Sequence, residues 1–417
     1  MKVKSPYSVR YVVCVITLVD LNSLKKIVKE TVEAKRPVLE DLARYLYENP
    51  ELGSEEFKAF EKITMILDEH GFEMEKGVYD MPTAFIASYK GKSNGPRVAV
   101  LAEYDALPGV GHGCGHDLIA ASAVGAGIAA SKAIGDLAGE VLVIGTPAEE
   151  GHGPSGGSKV IMADHGLFDT VDGVVMLHPA NTWGVGSQAL GISKCNMVFK
   201  GQTSHAAASP HLGRNALNAA TLAYTATHML RQEARRDANL VIHGIITEGG
   251  TANNIIPDRA VLDMGVRSSN QEYLDEMVDK VARCGEGAAH ALGVEVEITK
   301  GRLYSSKKLN YPMVRTLWQN YKDLGAPVDE WKKSVNNMPR ASTDYGDVSQ
   351  RTPVAGSNIG IAPEGTPGHS IQLADASVTK KGLDAMIVGT KALGMTLVEL
   401  LAKPEILKEA KEFFDSN

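Results

Sequence analysis

The 417-residue chain is longer than one average domain, so two lobes, or one domain carrying a large insertion, are the architectures to expect. Apolar residues at 44% and charged residues at 22% are those of an ordinary soluble globule rather than a disordered or membrane-embedded chain. With 43 Lys plus Arg against 50 Asp plus Glu, the net charge of -7 offers no basic footprint for phosphate backbones or anionic lipid, so neither nucleic acid nor a membrane is an expected partner.

At the start, Lys2, Lys4 and Arg10 precede the apolar stretch from Tyr11 to Val19, loosely in the manner of a signal peptide. The stretch is too short to span a bilayer, and no small-x-small site follows it, so residues 1–19 read more plainly as a ragged extension. Cys14, Cys114, Cys195 and Cys284 are far apart and form no CxxC pair, which favours a reducing, cytoplasmic setting over a disulfide framework.

A helix-like segment runs from Leu24 to Tyr47. Three short Val- and Ile-rich runs, Val98 to Leu101, Val141 to Ile144 and Val174 to Leu177, read as buried strands, with helix-like His116 to Ile134 between the first two. This alternation is α/β grammar. From about Gly191 a separate α+β unit is expected. It comprises an apolar run through Phe199, a helix near Leu212 to Arg235, strands at Leu240 to Thr247 and Ala260 to Val266, a helix at Tyr273 to Ala291 and a strand at Val294 to Thr299. After Arg302 the α/β character returns, with helix-like Met313 to Leu324, apolar Ile359 to Ile361 and helix-like Gly382 to Ala402. The expected organisation is a catalytic domain in two parts, 20–190 and 303–417, interrupted by a lid at 191–302.

Each strand is followed by residues able to do chemistry: Glu103, Asp105, His112, Cys114 and His116 after the first, Glu149 and Glu150 after the second, His178 after the third. Open α/β sheets place their sites beyond the carboxyl ends of strands, so these residues should converge. Thiolate, imidazole and carboxylate together suit a transition metal, zinc or manganese, rather than magnesium or calcium. Alternating glycines at 109, 111, 113 and 115 let a tight loop turn Cys114 and His116 inward as ligands, while His112 is read as a loop hydrogen-bonder. Pro147 ends the second strand and frees the acid pair, in which Glu150 is read as ligand and Glu149 as general base.

The chain resembles the aminoacylase and carboxypeptidase G family of dinuclear metallopeptidases over roughly Leu39 to Leu401. The matching pieces are Glu-Tyr-Asp-Ala-Leu-Pro at 103 to 108, Gly-Cys-Gly-His-Asp ending at Asp117, Thr-Pro-Ala-Glu-Glu at 146 to 150 and Leu-His-Pro at 177 to 179. Gly-Gln-Thr-Ser-His-Ala-Ala at 201 to 207 and Gly-Gly-Thr-Ala-Asn-Asn-Ile-Ile-Pro-Asp at 249 to 258 follow in order. The resemblance implies a three-layer catalytic domain around a mixed, mostly parallel sheet, with an inserted lid that also mediates homodimerisation. It implies two divalent transition-metal ions (Zn or Mn) on Cys114, His116, Glu150, His178 and His369, with Glu149 as general base and acid and Asp105 orienting a ligand. His205 would steady the oxyanion in a neighbouring subunit's site, and Asn254 and Arg267 would lie near the substrate carboxylate. An Arg in a lid strand is as readily a surface salt-bridge residue.

Glu103 stands where many members carry histidine, which points to the cysteine-ligand branch. Within it, Gly111, Gly113 and Ile119, together with Ala-Ser-Thr-Asp-Tyr-Gly-Asp-Val-Ser at 341 to 349, resemble aminobenzoyl-glutamate hydrolase and the Xaa-Arg dipeptidase-like group. The expected substrate is a small amide or dipeptide with a free carboxylate. The rival readings are a catalytically silent peptide-binding homologue and a cysteine nucleophile, with Cys114 attacking and His116 as base.

Overall fold

The computed structural model describes residues 20–336 and 341–417, so the expectations for 1–19 lie outside the described residues. Helix α1 (Leu21–Glu48) starts at Asp20, whose side chain accepts from Asn22 N at 3.1 Å and caps the first turn. Its buried Val28, Val32, Leu39, Leu42 and Leu46 recur every three, four or seven residues and form one apolar stripe. Then come α2 (Phe57–Glu69), β1 (Glu73–Lys76), β2 (Phe85–Lys90), β3 (Ser93–Ala102), α3 (His116–Ala133), β4 (Ala138–Gly145), α4 (Ser158–Asp164), β5 (Gly173–Ala180) and β6 (Gly184–Val185).

The middle of the chain folds as β7 (Gly191–Lys200), β8 (Ser204–His205), α5 (Ala216–Met229), β9 (Val241–Glu248), β10 (Ile255–Ile256), β11 (Arg259–Ser268), α6 (Gln271–Leu292) and β12 (Glu295–Tyr304). The chain ends with α7 (Tyr311–Asp323), α8 (Trp331–Val335), α9 (Tyr345–Ser349), β13 (Val354–Gly360), α10 (Ile371–Ser377), α11 (Lys380–Ala402) and α12 (Pro404–Ser416).

The central seven-stranded sheet has the order β1-β2-β4-β3-β5-β13-β6. Its core pairings β4-β3, β3-β5 and β5-β13 are parallel, and the outer ones are antiparallel. It is the expected mixed sheet with a parallel centre. The Val- and Ile-rich runs are buried on both faces because they lie in the middle strands. Helices α1, α3 and α11 pack on one another, with α3 and α11 against those strands.

Close packing there depends on small residues: a Cβ at Gly125 of α3 would come within 2.6 Å of Leu39 in α1 and 2.7 Å of Thr390 in α11. Helix α11 is long and apolar enough to cross a membrane by length and composition, but 83% of its apolar window is buried inside the protein, which makes it a core helix.

A second, four-stranded antiparallel sheet, β12-β7-β11-β9, backs onto α5 and α6 around its own apolar cluster, which includes Met197, Phe199, Leu262 and Val281. The helix expected near Leu212 to Arg235 is shorter than its pattern. Asn215 caps α5, accepting from Asn218 N at 3.0 Å, and the last turn tightens into a 3-10 turn at Leu230–Glu233.

Candidate metal centre

The chain leaving β3 runs through Asp105 and the glycine-rich loop into the first turn of α3, where His116 is fully buried. His116 Nδ1 lies 2.9 Å from both the backbone O and Oδ1 of Asp105. A carbonyl oxygen only accepts, so Nδ1 carries a hydrogen, and in the neutral ring the lone pair is left on Nε2. His178, near the carboxyl end of β5, is set the same way: its Nδ1 donates to Pro179 O at 2.7 Å. Its Nε2 then faces Cys114 Sγ at 3.3 Å, and His369 Nε2 approaches the same sulfur at 3.6 Å. Glu150 closes the ring, with Oε1 3.4 Å from His369 Nε2.

The turns that deliver these residues are strained in two places. Ala148, just before the acid pair, has φ +53°, and so does His369, conformations that side-chain-bearing residues seldom adopt. Each is held from outside. Ala148 N donates to the buried Glu56 carboxylate at 2.8 Å, and His369 N donates to Gly113 O at 3.0 Å. Asp105 ties two parts of the site together, because its Oδ2 accepts from Glu150 N at 3.0 Å.

Two donor groups emerge, Cys114 with His116 and His178, and Cys114 with Glu150 and His369, each with its donor atoms within 4.8 Å of one another. His116 Nε2 and Glu150 Oε1 are buried without a hydrogen-bond partner among the described residues, which is costly unless a cation completes them. The set therefore fits divalent metal ions, which Cys114, His116, His178, Glu150 and His369 would hold. Burial pushes the Cys114 thiol up to about 12; a bound transition-metal ion would deprotonate it. Burial opposes a charged His116, yet Asp105 and Cys114 hold its pKa well above the usual imidazole range.

Glu149 stands at the edge of this cluster, in a donor group with His116 and Glu150 and in another with Glu103 and Asp344. Thr343 Oγ1 donates to its Oε1 at 2.9 Å, and Tyr304 OH donates to its backbone O at 3.3 Å. Burial, then Glu103 and Asp344, raise its pKa well above the carboxylate range.

Between Glu103 and Asp344 sits the fully buried Lys159 of α4, its Nζ 2.7 Å from Glu103 Oε1 and 2.6 Å from Asp344 Oδ1. Their two charges hold the ammonium in its charged form against the cost of burial. The sequence marks Lys159 only as a lone cation after a glycine-rich loop, and gives it no role. Thr343, Asp344 and Glu56 likewise carry no sequence signal for their contacts.

All five expected ligands, Asp105 and Glu149 are thus brought together. His112 is buried and belongs to no donor group among the described residues. His205 and Asn254 are exposed, and His205 belongs to no donor group among the described residues. His205 sits in β8 opposite Ile255, and its Nδ1 accepts from Ala207 N at 3.2 Å and Ala208 N at 3.1 Å, so Nε2 carries the hydrogen of the neutral ring. Arg267 of β11 donates from Nη1 to Ser342 Oγ at 3.1 Å.

An α/β sheet that gathers thiol, imidazole and carboxylate donors beside a further carboxylate has the makings of a metal-dependent hydrolase. The chain belongs to peptidase family M20/M25/M40, whose sequence profile matches residues 99–397, and is a hydrolase of amide bonds. It is 33% identical over 413 residues to Xaa-Arg dipeptidase of Mus musculus, covering 95% of this chain and 93% of that protein. It is 29% identical over 466 residues to one of the subunits of p-aminobenzoyl-glutamate hydrolase of Escherichia coli strain K12, covering 94% of this chain and 95% of that protein. In fold it is similar to a Bacillus subtilis dinuclear metal binding peptidase of the M20 family, at TM-score 0.70 and 21% identity, covering 88% of this chain and 99% of that one.

Proposed function

We propose that this chain hydrolyses the amide bond of a dipeptide or N-acyl amino acid, with a pair of zinc or manganese ions held by Cys114, His116, Glu150, His178 and His369. The observation that carries the reading is the convergence of two donor groups on the Cys114 sulfur, with Glu149 beside them. When bound, divalent ions lower the pKa of the attacking water and polarise the amide carbonyl. Glu149 accepts the proton of that water and returns it to the amine nitrogen as the C–N bond breaks. Asp105 keeps His116 in the tautomer that offers Nε2.

His205 of a second copy donates from Nε2 to the oxyanion. Exposed apolar side chains in this part of the chain, including Ile245 of β9 at 64% and Met229 of α5 at 61%, support a homodimer. Asn254 and Arg267 are assigned to the carboxylate of the amine product. The names of the two sequence relatives, one acting on Xaa-Arg and one on aminobenzoyl-glutamate, support an amino-acid product; aminobenzoyl-glutamate or another N-acyl amino acid is the alternative substrate. A reducing, cytoplasmic setting suits the thiol ligand.

The test is a panel of N-acyl amino acids, aminobenzoyl-glutamate and dipeptides ending in Lys or Arg, assayed with added zinc or manganese and again after chelation. Turnover that disappears with chelator, and a Glu149→Gln variant that keeps metal but is inactive, are expected. Turnover surviving full chelation would favour cysteine nucleophile catalysis, and failure on every amide would remove the reading.

A further inference from the structure

The Thr343 hydroxyl has one hydrogen and two contacts. It receives Tyr345 N at 3.2 Å, and an N–H can only donate, so the oxygen accepts there and its own hydrogen is directed to Glu149 Oε1 at 2.9 Å. Its chain neighbours are pinned on both sides. Ser342 accepts from Arg267 of the lid at 3.1 Å, and Asp344 accepts from the side chain of Lys159 at 2.6 Å and from its backbone N at 3.2 Å. The turn that carries Glu149 is fixed independently, through Tyr304 OH on its carbonyl and Glu56 on the neighbouring Ala148 N. Donor and acceptor are therefore both held before any substrate arrives.

We propose that Thr343 is a positioning residue for the base, fixing the rotation of the Glu149 carboxylate so that Oε2 is the oxygen that receives and returns the proton. The inference rests on the reading of Glu149 as base. A glutamate's terminal torsion is broad and two-fold, so without a fixed donor its two oxygens exchange places. With Oε1 already accepting from Thr343, the proton taken from water bonds to Oε2. The same hydrogen bond persists while that proton passes to the amine, because Oε1 accepts in both forms of the acid. No charge is added at the site, since the hydroxyl stays neutral throughout.

The experiment compares Thr343→Val, Thr343→Ala, Thr343→Ser and Glu149→Gln in the full chain loaded with manganese, using aminobenzoyl-glutamate and a dipeptide ending in Arg as substrates. The valine and alanine variants are expected to lose roughly tenfold to hundredfold in kcat, with KM within about twofold, bound metal unchanged, and serine restoring most of the rate. Should valine not fold, the alanine and serine pair gives the same comparison. Wild-type kcat without the hydroxyl, serine as slow as valine, or a fall in kcat matched by lost metal would overturn the inference. If Glu149→Gln keeps turnover, the base assignment itself fails. If it is silent while Thr343→Val is unimpaired, only the role of Thr343 fails.

Discussion

Asp105 serves two ends of the site with one carboxylate, receiving His116 Nδ1 on Oδ1 and Glu150 N on Oδ2. Replacing it with alanine removes one of the two acceptors of the His116 Nδ1 hydrogen and the acceptor of Glu150 N, and metal affinity is expected to fall about tenfold to hundredfold in a competition titration with a coloured chelator. An unchanged affinity would show that the Asp105 backbone oxygen alone orients the ring. Glu56 is a second buried carboxyl, and burial raises it from 4.5 to about 7. Its folded form holds the proton more tightly than the unfolded chain does, so its contribution to stability is full below 4.5 and is lost as pH rises through about 7. In metal-free protein, Glu56→Gln should flatten the fall in unfolding free energy over that interval by on the order of 3 kcal/mol, read from urea titrations at successive pH values. Parallel profiles for variant and wild type would contradict the assignment.

At the scale of elements, the entry into α3 is the tightest joint. Gly115 has φ +78°, and a Cβ there would lie 2.6 Å from the ring of Pro179, which follows His178. Gly115→Ala combines backbone strain with overpacking between Cys114 and His116, so a loss of roughly 2 kcal/mol or more is expected, together with weakened metal binding. A wild-type melting temperature and metal content would refute this. The strands and the donor cluster at their ends are legible in the sequence because both follow local rules: Val- and Ile-rich runs for strands buried on two faces, and polar residues placed just beyond them. Lys159 was not legible, because the Asp344 it clasps is 185 residues away and nothing around a lone lysine announces a buried ion pair. Thr343 and Glu149, 194 residues apart, meet for the same reason only after folding. The end of α5 was overshot because its apolar pattern continues through a tightened turn.

The whole molecule joins two cores of different construction. The parallel centre of the large sheet gathers the candidate ligands at the ends of β3, β4 and β5 and on the approach to α10, while the four-stranded antiparallel sheet packs on two helices and contributes Arg267 and Tyr304 to the seam beside Glu149. Amide hydrolysis follows from family membership, and the α/β fold is shared with the similar solved structure. The most direct measurement is a titration of metal-stripped chain with manganese or zinc while hydrolysis of the substrate found in the panel is followed. Turnover is expected to rise from the background rate and level off once a pair of ions is bound per chain, with Cys114→Ala failing to reach that plateau. Full turnover in the stripped protein, or a wild-type titration in Cys114→Ala, would contradict a metal centre built on the Cys114 sulfur.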